Sequence, residues 1–385
     1  MYIKRDAEKT IEKIYRVYKI MAVVGARQAG KTTLLRNTLE KQKGDYITLD
    51  DPDAREMFDE DIKKFENQYL KKGKLTGIDE IQYGKDAGIK LKYLADKEYK
   101  LFITSSSEII MGKNVLSYLV GRVSATKLFP FSLHEILRAK KLKEMTEKIK
   151  ERVIWEYANY GGYPKVVLEE DFEIRKDILN NLKETLILKD VMQTFSIEDM
   201  GSLEKLLNYL AVGLGNIVSY EKLSSKLDIS FITLKKYLDA LEKSYVIKTV
   251  PPFYTNKLKE ITKRPKIYFI DVGLRNSIIK NFNSEPEDKI LENLVLMELL
   301  KKNFSVKYWS TKAKAEVDFI IEKEGEIIPI EVKTSVKINK SLKSFIAKYK
   351  PKTAFVVFHK GEEREEIIDG CKVICTNLFG LIEKL

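Results

Sequence analysis

The chain has 385 residues, of which 44% are hydrophobic and 33% are charged, with a formal net charge of +12. These values predict a soluble globular protein of two or three domains, and the excess positive charge suggests either an anionic partner or a lysine-rich surface that serves solubility. Two histidines and two cysteines argue against zinc sites and histidine catalysis, so we expect Cys371 and Cys375 to be free thiols. The charged N-terminus and the absence of long apolar runs argue against secretion and membrane insertion, which predicts a cytoplasmic protein without a membrane partner.

A phosphate-binding loop is predicted early in the chain. A short amphipathic helix within residues 5–17 leads to the apolar run 20–24, and then GARQAGKT fits the GxxxxGK(S/T) pattern. This strand–loop–helix setting presents backbone N–H groups to nucleotide phosphates, whereas the alternative is a glycine-rich turn without a ligand. The residues expected to bind ATP are Gly25, Ala26, Arg27, Gln28, Ala29, Gly30, Lys31, Thr32 and Thr33.

An acidic pair ends a weaker apolar run about fifty residues later. Asp79 and Glu80 follow residues 74–78. In enzymes with a phosphate-binding loop, such an Asp holds Mg²⁺ together with the loop Thr, here Thr32, and the Glu polarises the attacking water. Lys31 would neutralise the β- and γ-phosphates. The competing interpretation is that the acidic pair only caps a helix.

Two further residues are candidates for contact with the γ-phosphate. The strand predicted at 100–104 is followed by three serines at 105–107, and we include Ser105 among the nucleotide-binding residues. The pattern does not decide which of the three serines would contact the nucleotide. The alternative is that the serines cap a helix. Arg122 follows a glycine ahead of a further strand, where an arginine can reach a γ-phosphate across a subunit interface or within its own chain. A surface salt bridge is the alternative for Arg122.

The motifs GARQAGKTTLL, YITLDD, GIDEIQ, TSSS, LVGRVS, FPFSLHEIL and YGGYPKVV occur in one order along the chain. In this the sequence resembles a large prokaryotic family of AAA-type P-loop ATPases, common in archaea. The resemblance implies a winged-helix segment and a C-terminal nuclease-like domain. It also implies that the helical region 144–202, which is interrupted at 161–164, forms a lid over the nucleotide. Ser105 departs from the glycine that the resemblance leads us to expect.

Residues 203–284 predict a winged helix-turn-helix. Three helical patterns, within 203–214, 219–227 and 230–243, precede two strand patterns at 245–250 and 265–270. The residues expected to be exposed on the third helix and able to contact DNA phosphates are Thr233, Lys235, Lys236 and Tyr237. The loop between the two strands holds the basic residues Lys257, Lys259, Lys263 and Arg264. Because the typical set for base readout is missing, the pattern favours weak, sequence-tolerant duplex binding, with packing or subunit contact as the alternative.

The last hundred residues carry a second acidic constellation. Asp318, Glu331 and Lys333 fit D…ExK, the core of the restriction-endonuclease-like, or PD-(D/E)xK, fold. Asp318 and Glu331 lie on adjacent predicted strands, and Glu331 and Lys333 must face the same side of theirs. The expectation is that Asp318 and Glu331 hold Mg²⁺ while Lys333 activates water, with Glu292 and Glu316 nearby; the alternative is an exposed charged hairpin.

Together these patterns predict an α/β protein. Its expected parts are a P-loop NTPase (AAA+) parallel sheet at 1–143, a helical lid at 144–202, a winged helix-turn-helix at 203–284, and a restriction-endonuclease-like α/β domain at 285–385. The expected function is Mg²⁺-dependent ATP hydrolysis coupled to binding, and conceivably cleavage, of double-stranded or branched DNA, in a chain that forms homo-oligomers. The alternative is a nucleotide-switched regulatory module whose inactive nuclease-like domain serves assembly.

Overall fold

The N-terminal part of the molecule is built on a five-stranded sheet. The computed structural model describes residues 2–385 apart from 107–111, 113–114, 143–144, 255–263, 283, 314 and 337. Strands β1 to β5 span Ile20–Gly25, Asp45–Thr48, Leu75–Asp79, Lys100–Ser105 and Val123–Leu128. They pair in parallel in the order β2-β3-β4-β1-β5, so the carboxyl ends of β1, β3 and β4 meet at one edge.

Helices cover both faces of this sheet because its central strand is buried on both sides. Ile20, Ala22 and Val24 of β1 pack into one apolar cluster, and Met21 and Val23 pack into another on the opposite face. The surrounding helices α1 to α6 span Glu8–Val17, Lys31–Gln42, Pro52–Glu60, Ile62–Tyr69, Ala87–Asp96 and Leu133–Lys140. Short 3₁₀ turns occur at Ile81–Tyr83 and Leu116–Tyr118. A doubly covered parallel sheet is the architecture expected from the near-continuous apolar runs.

The region predicted to be a lid is helical. Helices α7 to α9 span Glu147–Tyr160, Pro164–Leu168 and Phe172–Thr185, and a π-helical stretch follows at Leu186–Gln193. The predicted break at 161–164 falls between α7 and α8, where Gly161 has a positive φ of 72° and Pro164 begins the next helix. The helical interpretation of this region is therefore confirmed, and its role as a lid stays a prediction.

The middle segment contains three helices followed by a two-stranded antiparallel sheet. Its elements are α10 to α12 at Met200–Val212, Tyr220–Leu227 and Phe231–Lys243, strands β6 at Ile247–Val250 and β7 at Lys266–Phe269, and helix α13 at Val272–Ile279. Most of the loop between the two strands lies outside the described residues, including Lys257, Lys259 and Lys263. The element order is the one predicted, and its interpretation as a winged helix stays a prediction.

The C-terminal part is a six-stranded mixed sheet with helices. Strands β8 to β13 span Lys307–Ser310, Glu316–Lys323, Glu326–Ser335, Thr353–Lys360, Arg364–Ile368 and Cys371–Thr376, and helices α14 to α16 span Asp288–Lys301, Lys340–Tyr349 and Leu378–Lys384. The strand order is β12-β13-β11-β10-β9-β8. Strands β12 and β13 extend the sheet beyond the sequence prediction, and Cys371 and Cys375, both on β13, are buried free thiols as expected.

Apolar packing joins the lid, the middle segment and the C-terminal sheet. One cluster of buried side chains runs from Ile154 on α7 through Leu210 on α10 and Leu294 on α14 to Ile330 on β10. These three parts therefore share one core. In the part of the chain that the structure describes, no helix is long and apolar enough to cross a membrane.

Candidate functional site: the phosphate-binding loop and the C-terminal carboxylate cluster

The loop between β1 and α2 has the backbone geometry expected of a phosphate cradle. Gln28 and Gly30 adopt positive φ angles of 57° and 97°, and Gly30 is the residue that precedes α2. An added Cβ at Gly25 would lie 2.0 Å from the carbonyl oxygen of Leu128, so only glycine fits there. The first-turn N–H groups of α2 have no acceptors within the helix, which suits them to phosphate oxygens.

Lys31 points back across this loop. Its ammonium donates to the backbone carbonyls of Gly25 and Ala26 at 3.1 and 3.0 Å, although the side chain is buried. The positive charge is therefore held against the backbone of the loop. The predicted role of Lys31 toward the β- and γ-phosphates stays a prediction.

Asp79 lies beside the loop and accepts hydrogen bonds from three hydroxyl groups. Thr32 donates to its Oδ2 at 2.7 Å, Tyr46 donates to the same oxygen at 2.8 Å, and Thr104 donates to its Oδ1. The strand order makes this possible, because β3, which carries Asp79, adjoins β2 with Tyr46 and β4 with Thr104. The predicted pair Thr32 and Asp79 is thus brought together.

Glu80 follows immediately and turns away from the strand with a positive φ of 55°. Its backbone N–H donates to the Thr104 hydroxyl at 3.1 Å, and its carboxylate accepts from the Gln82 amide, which also donates to Ser106 at 3.1 Å. Burial raises the pKa of Glu80, while the charge of Lys31 opposes the shift. A carboxylate with a raised pKa next to a phosphate site is suited to accept a proton from water.

The oxygen and hydroxyl groups at this edge fit a Mg²⁺ ion. Thr32 supplies a hydroxyl and Asp79 a carboxylate, which are hard oxygen ligands, and neither is paired with an ammonium group in the bonds described above. A magnesium ion held there would neutralise phosphate charge. Mg²⁺ commonly takes one or two carboxylates together with water and substrate phosphates, so a small protein ligand set is sufficient.

The serines at the end of β4 have different surroundings. Ser105 is fully buried and pairs in register with Val24, next to the loop, whereas Ser106 accepts the bond from Gln82. Ser107 lies outside the described residues. Sequence reasoning named Ser105 but missed Thr104, one residue earlier, which contacts both members of the acidic pair.

Arg122 lies at the opposite end of the sheet from the loop. Its backbone carbonyl accepts from Ile20 at the start of β1, and its side chain pairs with Asp96 at 2.6 Å. The loop follows the other end of β1, five residues and about 17 Å away at the usual rise of a strand. The predicted action of Arg122 within its own chain is therefore wrong on geometric grounds, and action on a neighbouring subunit stays a prediction.

Arg5 is a functional candidate that sequence reasoning missed. Its buried guanidinium donates to the carbonyls of Ala29 in the loop and Phe129 at 2.6 and 2.7 Å, and it pairs with Glu135 at 3.0 Å. Arg5 precedes α1, and no local sequence pattern signals that it reaches the loop. It fixes the loop backbone against the segment that precedes α6.

The C-terminal residues Asp318, Glu331 and Lys333 do converge. The Lys333 ammonium lies 2.9 Å from Glu331 and 3.8 Å from Asp318, and Asp318 accepts from the Val332 N–H at 2.9 Å. Glu292, on α14, joins the group: burial, and then the nearby charge of Asp318, raise its pKa to about 7. The same two causes, in the same order, raise the pKa of Glu331 to about 8.

A second ammonium group sits among these carboxylates. Lys266, from β7, lies 2.6 Å from Glu316, 3.6 Å from Asp318 and 3.9 Å from Glu292. In the described residues, no three His, Cys, Asp or Glu side chains are placed to hold a metal ion. The predicted binding of Mg²⁺ by Asp318 and Glu331 stays a prediction, because Lys333 converges with them as expected while Lys266 lies beside Asp318 as an additional cation.

The predicted DNA-contacting face of α12 is only partly polar. Lys235 and Lys236 are exposed, Thr233 is half-buried, and Arg264 before β7 is exposed. Tyr237 is buried, so its predicted exposure is wrong: it lies on the apolar face that packs into the core. The most exposed apolar side chain of this helix is Ile232, with 82% of its surface accessible, beside the partly exposed Phe231.

Family models match three successive stretches of the chain. Residues 17–137 match a model described as "AAA domain". Residues 151–285 and 287–379 match two models, each described as a "Domain of unknown function", DUF8612 and DUF4143. The first match agrees with the phosphate-binding loop, the acidic pair and the parallel sheet described above. The chain therefore contains an AAA-type P-loop ATPase domain, as the sequence resemblance implied.

Relatives of similar length occur in bacteria and archaea. An uncharacterized protein of Haemophilus influenzae is 25% identical over 83% of this chain and 84% of its own. An uncharacterized protein of Methanocaldococcus jannaschii is 29% identical over 80% of this chain and 73% of its own, and one of Mycobacterium tuberculosis is 25% identical over 95% and 82%. The distribution is thus not restricted to archaea.

Solved structures show weaker similarity. A Walker-type ATPase of Pyrococcus abyssi has 17% identity and a TM-score of 0.48, covering 72% of this chain and 96% of that chain. Cdc6p of Pyrobaculum aerophilum has 12% identity and a TM-score of 0.31, covering 72% and 95%. Similarities at these scores do not establish a shared overall fold.

Proposed function

We propose that the chain is a Mg²⁺-dependent ATP hydrolase whose nucleotide cycle changes the position of its middle and C-terminal parts. The observation that carries the proposal is the contact between Thr32 and Asp79 at 2.7 Å, directly beside a loop that encloses Lys31. In this proposal Lys31 neutralises the β- and γ-phosphates, Thr32 and Asp79 hold Mg²⁺, and Glu80 positions and deprotonates the attacking water.

The proposed coupling rests on a chain of buried contacts that starts at the loop. The Arg5 guanidinium, bonded to Ala29, lies 4.9 Å from the centre of the Phe131 ring. The Phe131 N–H donates to the Gly162 carbonyl at 2.7 Å, and the Gly162 N–H donates to Asp271, at the start of α13, at 2.7 Å. A loop that changes shape on hydrolysis would thus pull on the middle segment.

A second branch of the same network reaches the C-terminal part. Lys301, at the end of α14, donates to the Phe131 carbonyl at 2.8 Å and pairs with Glu298. Glu298 accepts from Tyr157 of α7 and from the N–H of Leu133 at 2.9 and 3.2 Å. Phe131 belongs to both branches. A structural change caused by nucleotide hydrolysis would therefore be transmitted through Phe131 to the middle segment and to the C-terminal part.

For the output of the cycle we favour weak, sequence-tolerant binding of duplex DNA by the middle segment. The net charge of +12 and the exposed Lys235, Lys236 and Arg264 support an anionic partner. The exposed Phe231 and Ile232 at the start of α12 favour the alternative, in which this face contacts protein within a regulatory assembly. Cleavage of DNA is not part of this proposal, because the Lys266 ammonium, which does not belong to the D…ExK pattern, lies among Glu316, Asp318 and Glu292.

Steady-state ATP hydrolysis with and without Mg²⁺ tests the first part, with Lys31→Ala as the critical variant. A charge pair at this range is worth on the order of 4 kcal/mol at an effective dielectric near 20, so we expect the rate to fall by at least about 100-fold. Lys72→Ala is the matched control, because Lys72 is exposed and distant from the loop. Hydrolysis by Lys31→Ala at the parent rate would refute the proposal.

Fluorescence anisotropy with labelled duplex and branched DNA tests the second part. We expect binding to weaken steeply between about 50 and 200 mM salt, and Lys235→Ala with Lys236→Ala to reduce the salt dependence. The protein-contact alternative predicts no binding at low salt and a changed oligomeric state in Ile232→Asp. The two outcomes are distinct, because the lysine pair should not alter oligomeric state.

A further inference from the structure

Lys266 is the most deeply buried ammonium group of the carboxylate cluster. Only 1% of its side chain is accessible, and its ammonium lies among Glu316, Asp318 and Glu292, with the Tyr308 ring centre 5.5 Å away. The lysine comes from β7 of the middle segment, whereas the three carboxylates come from β9 and α14 of the C-terminal part. The cluster is thus assembled across the boundary between two parts of the chain.

Burial of an ammonium group costs several kcal/mol unless opposite charges surround it. The three carboxylates provide that compensation, because oxygens of Glu316, Asp318 and Glu292 lie 2.6, 3.6 and 3.9 Å from the Lys266 ammonium. While Lys266 is in place, no exchangeable ion is needed to compensate the negative charge of the Asp318 carboxylate.

One oxygen of the remaining carboxylate, Glu331 Oε1, contacts groups of the chain itself, whereas its Oε2 is buried without a hydrogen-bond partner among the described residues. Glu331 accepts from the Asn339 amide and pairs with Lys333 at 2.9 Å. Mg²⁺ and Ca²⁺ need several oxygen ligands at about 2.0–2.6 Å, arranged around one point. The Lys266 ammonium occupies the space among Asp318, Glu292 and Glu316, so these carboxylates leave no open position for such an ion while the lysine is in place.

We propose that Lys266 is the resident cation of this cluster, so that the carboxylates join the middle segment to the C-terminal sheet and bind no divalent metal while the lysine is present. The cluster is then an ion-paired joint built from nuclease-type residues. This inference is independent of ATP hydrolysis. It assigns Lys266 the charge-compensating position among the carboxylates, and predicts that removal of the ammonium leaves their negative charge open to an added divalent cation.

Mn²⁺ binding to the full chain without nucleotide tests the inference, measured by electron paramagnetic resonance of the free ion. Compared with the parent, we expect Lys266→Met to bind about one more Mn²⁺ per chain, and Asp318→Asn added to it to abolish that gain. Lys289→Met is the matched control, because Lys289 also pairs with Glu292 but is 39% exposed at the rim. This control should bind no additional ion.

Two results would overturn the inference. One is Mn²⁺ binding by the parent chain that Asp318→Asn removes, since the lysine would then not exclude metal. The other is a folded Lys266→Met chain, shown by circular dichroism and a cooperative thermal transition, that gains no ion. If Lys266→Met does not fold, the comparison of the parent with Asp318→Asn still decides the matter, because the inference requires their Mn²⁺ binding to be equal.

Discussion

The phosphate-binding loop and the C-terminal cluster use the same residue types with opposite results. Both combine carboxylates with lysine, but Asp79 accepts from the neutral hydroxyls of Thr32, Tyr46 and Thr104. Asp318 instead lies between the ammonium groups of Lys266 and Lys333. Neutral donors leave a carboxylate its negative charge for an incoming cation, whereas built-in ammonium groups cancel it. We therefore propose that similar motifs form an exchangeable cation site in one region and a fixed joint in the other.

The largest loss of ATP hydrolysis at the phosphate-binding loop is expected from Glu80→Gln, which tests this contrast between the two regions. The substitution keeps the shape of the side chain but removes the proton acceptor, so the hydrolysis rate should fall by about 10²- to 10⁴-fold. Nucleotide binding should be retained, because Lys31 and the loop backbone are untouched. Single-turnover hydrolysis and equilibrium binding of a labelled nucleotide separate the two effects.

Glu40→Gln is the matched control, since Glu40 is an exposed glutamate on α2, the helix that follows the loop. It should leave the rate unchanged. Equal rates for Glu80→Gln and the parent would remove Glu80 from the chemistry. The contrast between the two regions would then rest on Asp79 alone.

Local patterns revealed the loop because its chemistry is contiguous in the sequence. Gly25, Gly30 and Lys31 lie within one turn between a strand and a helix, and Asp79 with Glu80 ends a strand. Thr104 lies at the predicted end of a strand. Because three serines follow it, the nucleotide-binding role was assigned to Ser105 instead. The buried position of Tyr237 was readable from its spacing to Leu234 and Leu241, which places all three on one helix face.

Residues whose function depends on contacts with distant parts of the chain could not be identified from the sequence. Arg5 meets Ala29 and Phe129 because the fold brings the start of the chain to the loop. Lys266 is one basic residue in a lysine-rich region, and only the packing of β7 against the C-terminal part shows that it is buried among carboxylates. No periodicity distinguishes a lysine that binds DNA from one that neutralises a buried cluster.

A smaller effect is expected from Thr104→Val, which tests how far neutral donors matter to Asp79. The change removes a hydroxyl that donates to Asp79 and accepts from the Glu80 N–H, with little change in volume. Hydrogen bonds to charged groups contribute about 1.5–3 kcal/mol, so kcat/KM for ATP should fall by roughly 10- to 150-fold. Steady-state kinetics over a Mg²⁺ series measures the loss.

Tyr46→Phe provides the comparison, because it removes one hydroxyl from Asp79 without touching Glu80. We expect a smaller loss than in Thr104→Val. If both variants match the parent, the hydroxyls around Asp79 are structural, and the contrast with the ammonium-bound Asp318 loses its functional meaning.

The smallest effect concerns the pH dependence of stability in the C-terminal cluster. Burial and the charge of Asp318 raise the pKa of Glu331 from 4.5 to about 8, while Lys333 opposes the shift. Between these values the folded chain binds a proton that the unfolded chain releases, so stability should fall as pH rises, by up to about 1.4 kcal/mol per pH unit. It should level off above about pH 8. Thermal unfolding from pH 5 to 9 measures the slope, and Glu331→Gln should flatten it. Parallel profiles for the two chains would show that the lysines keep Glu331 ionised throughout this range.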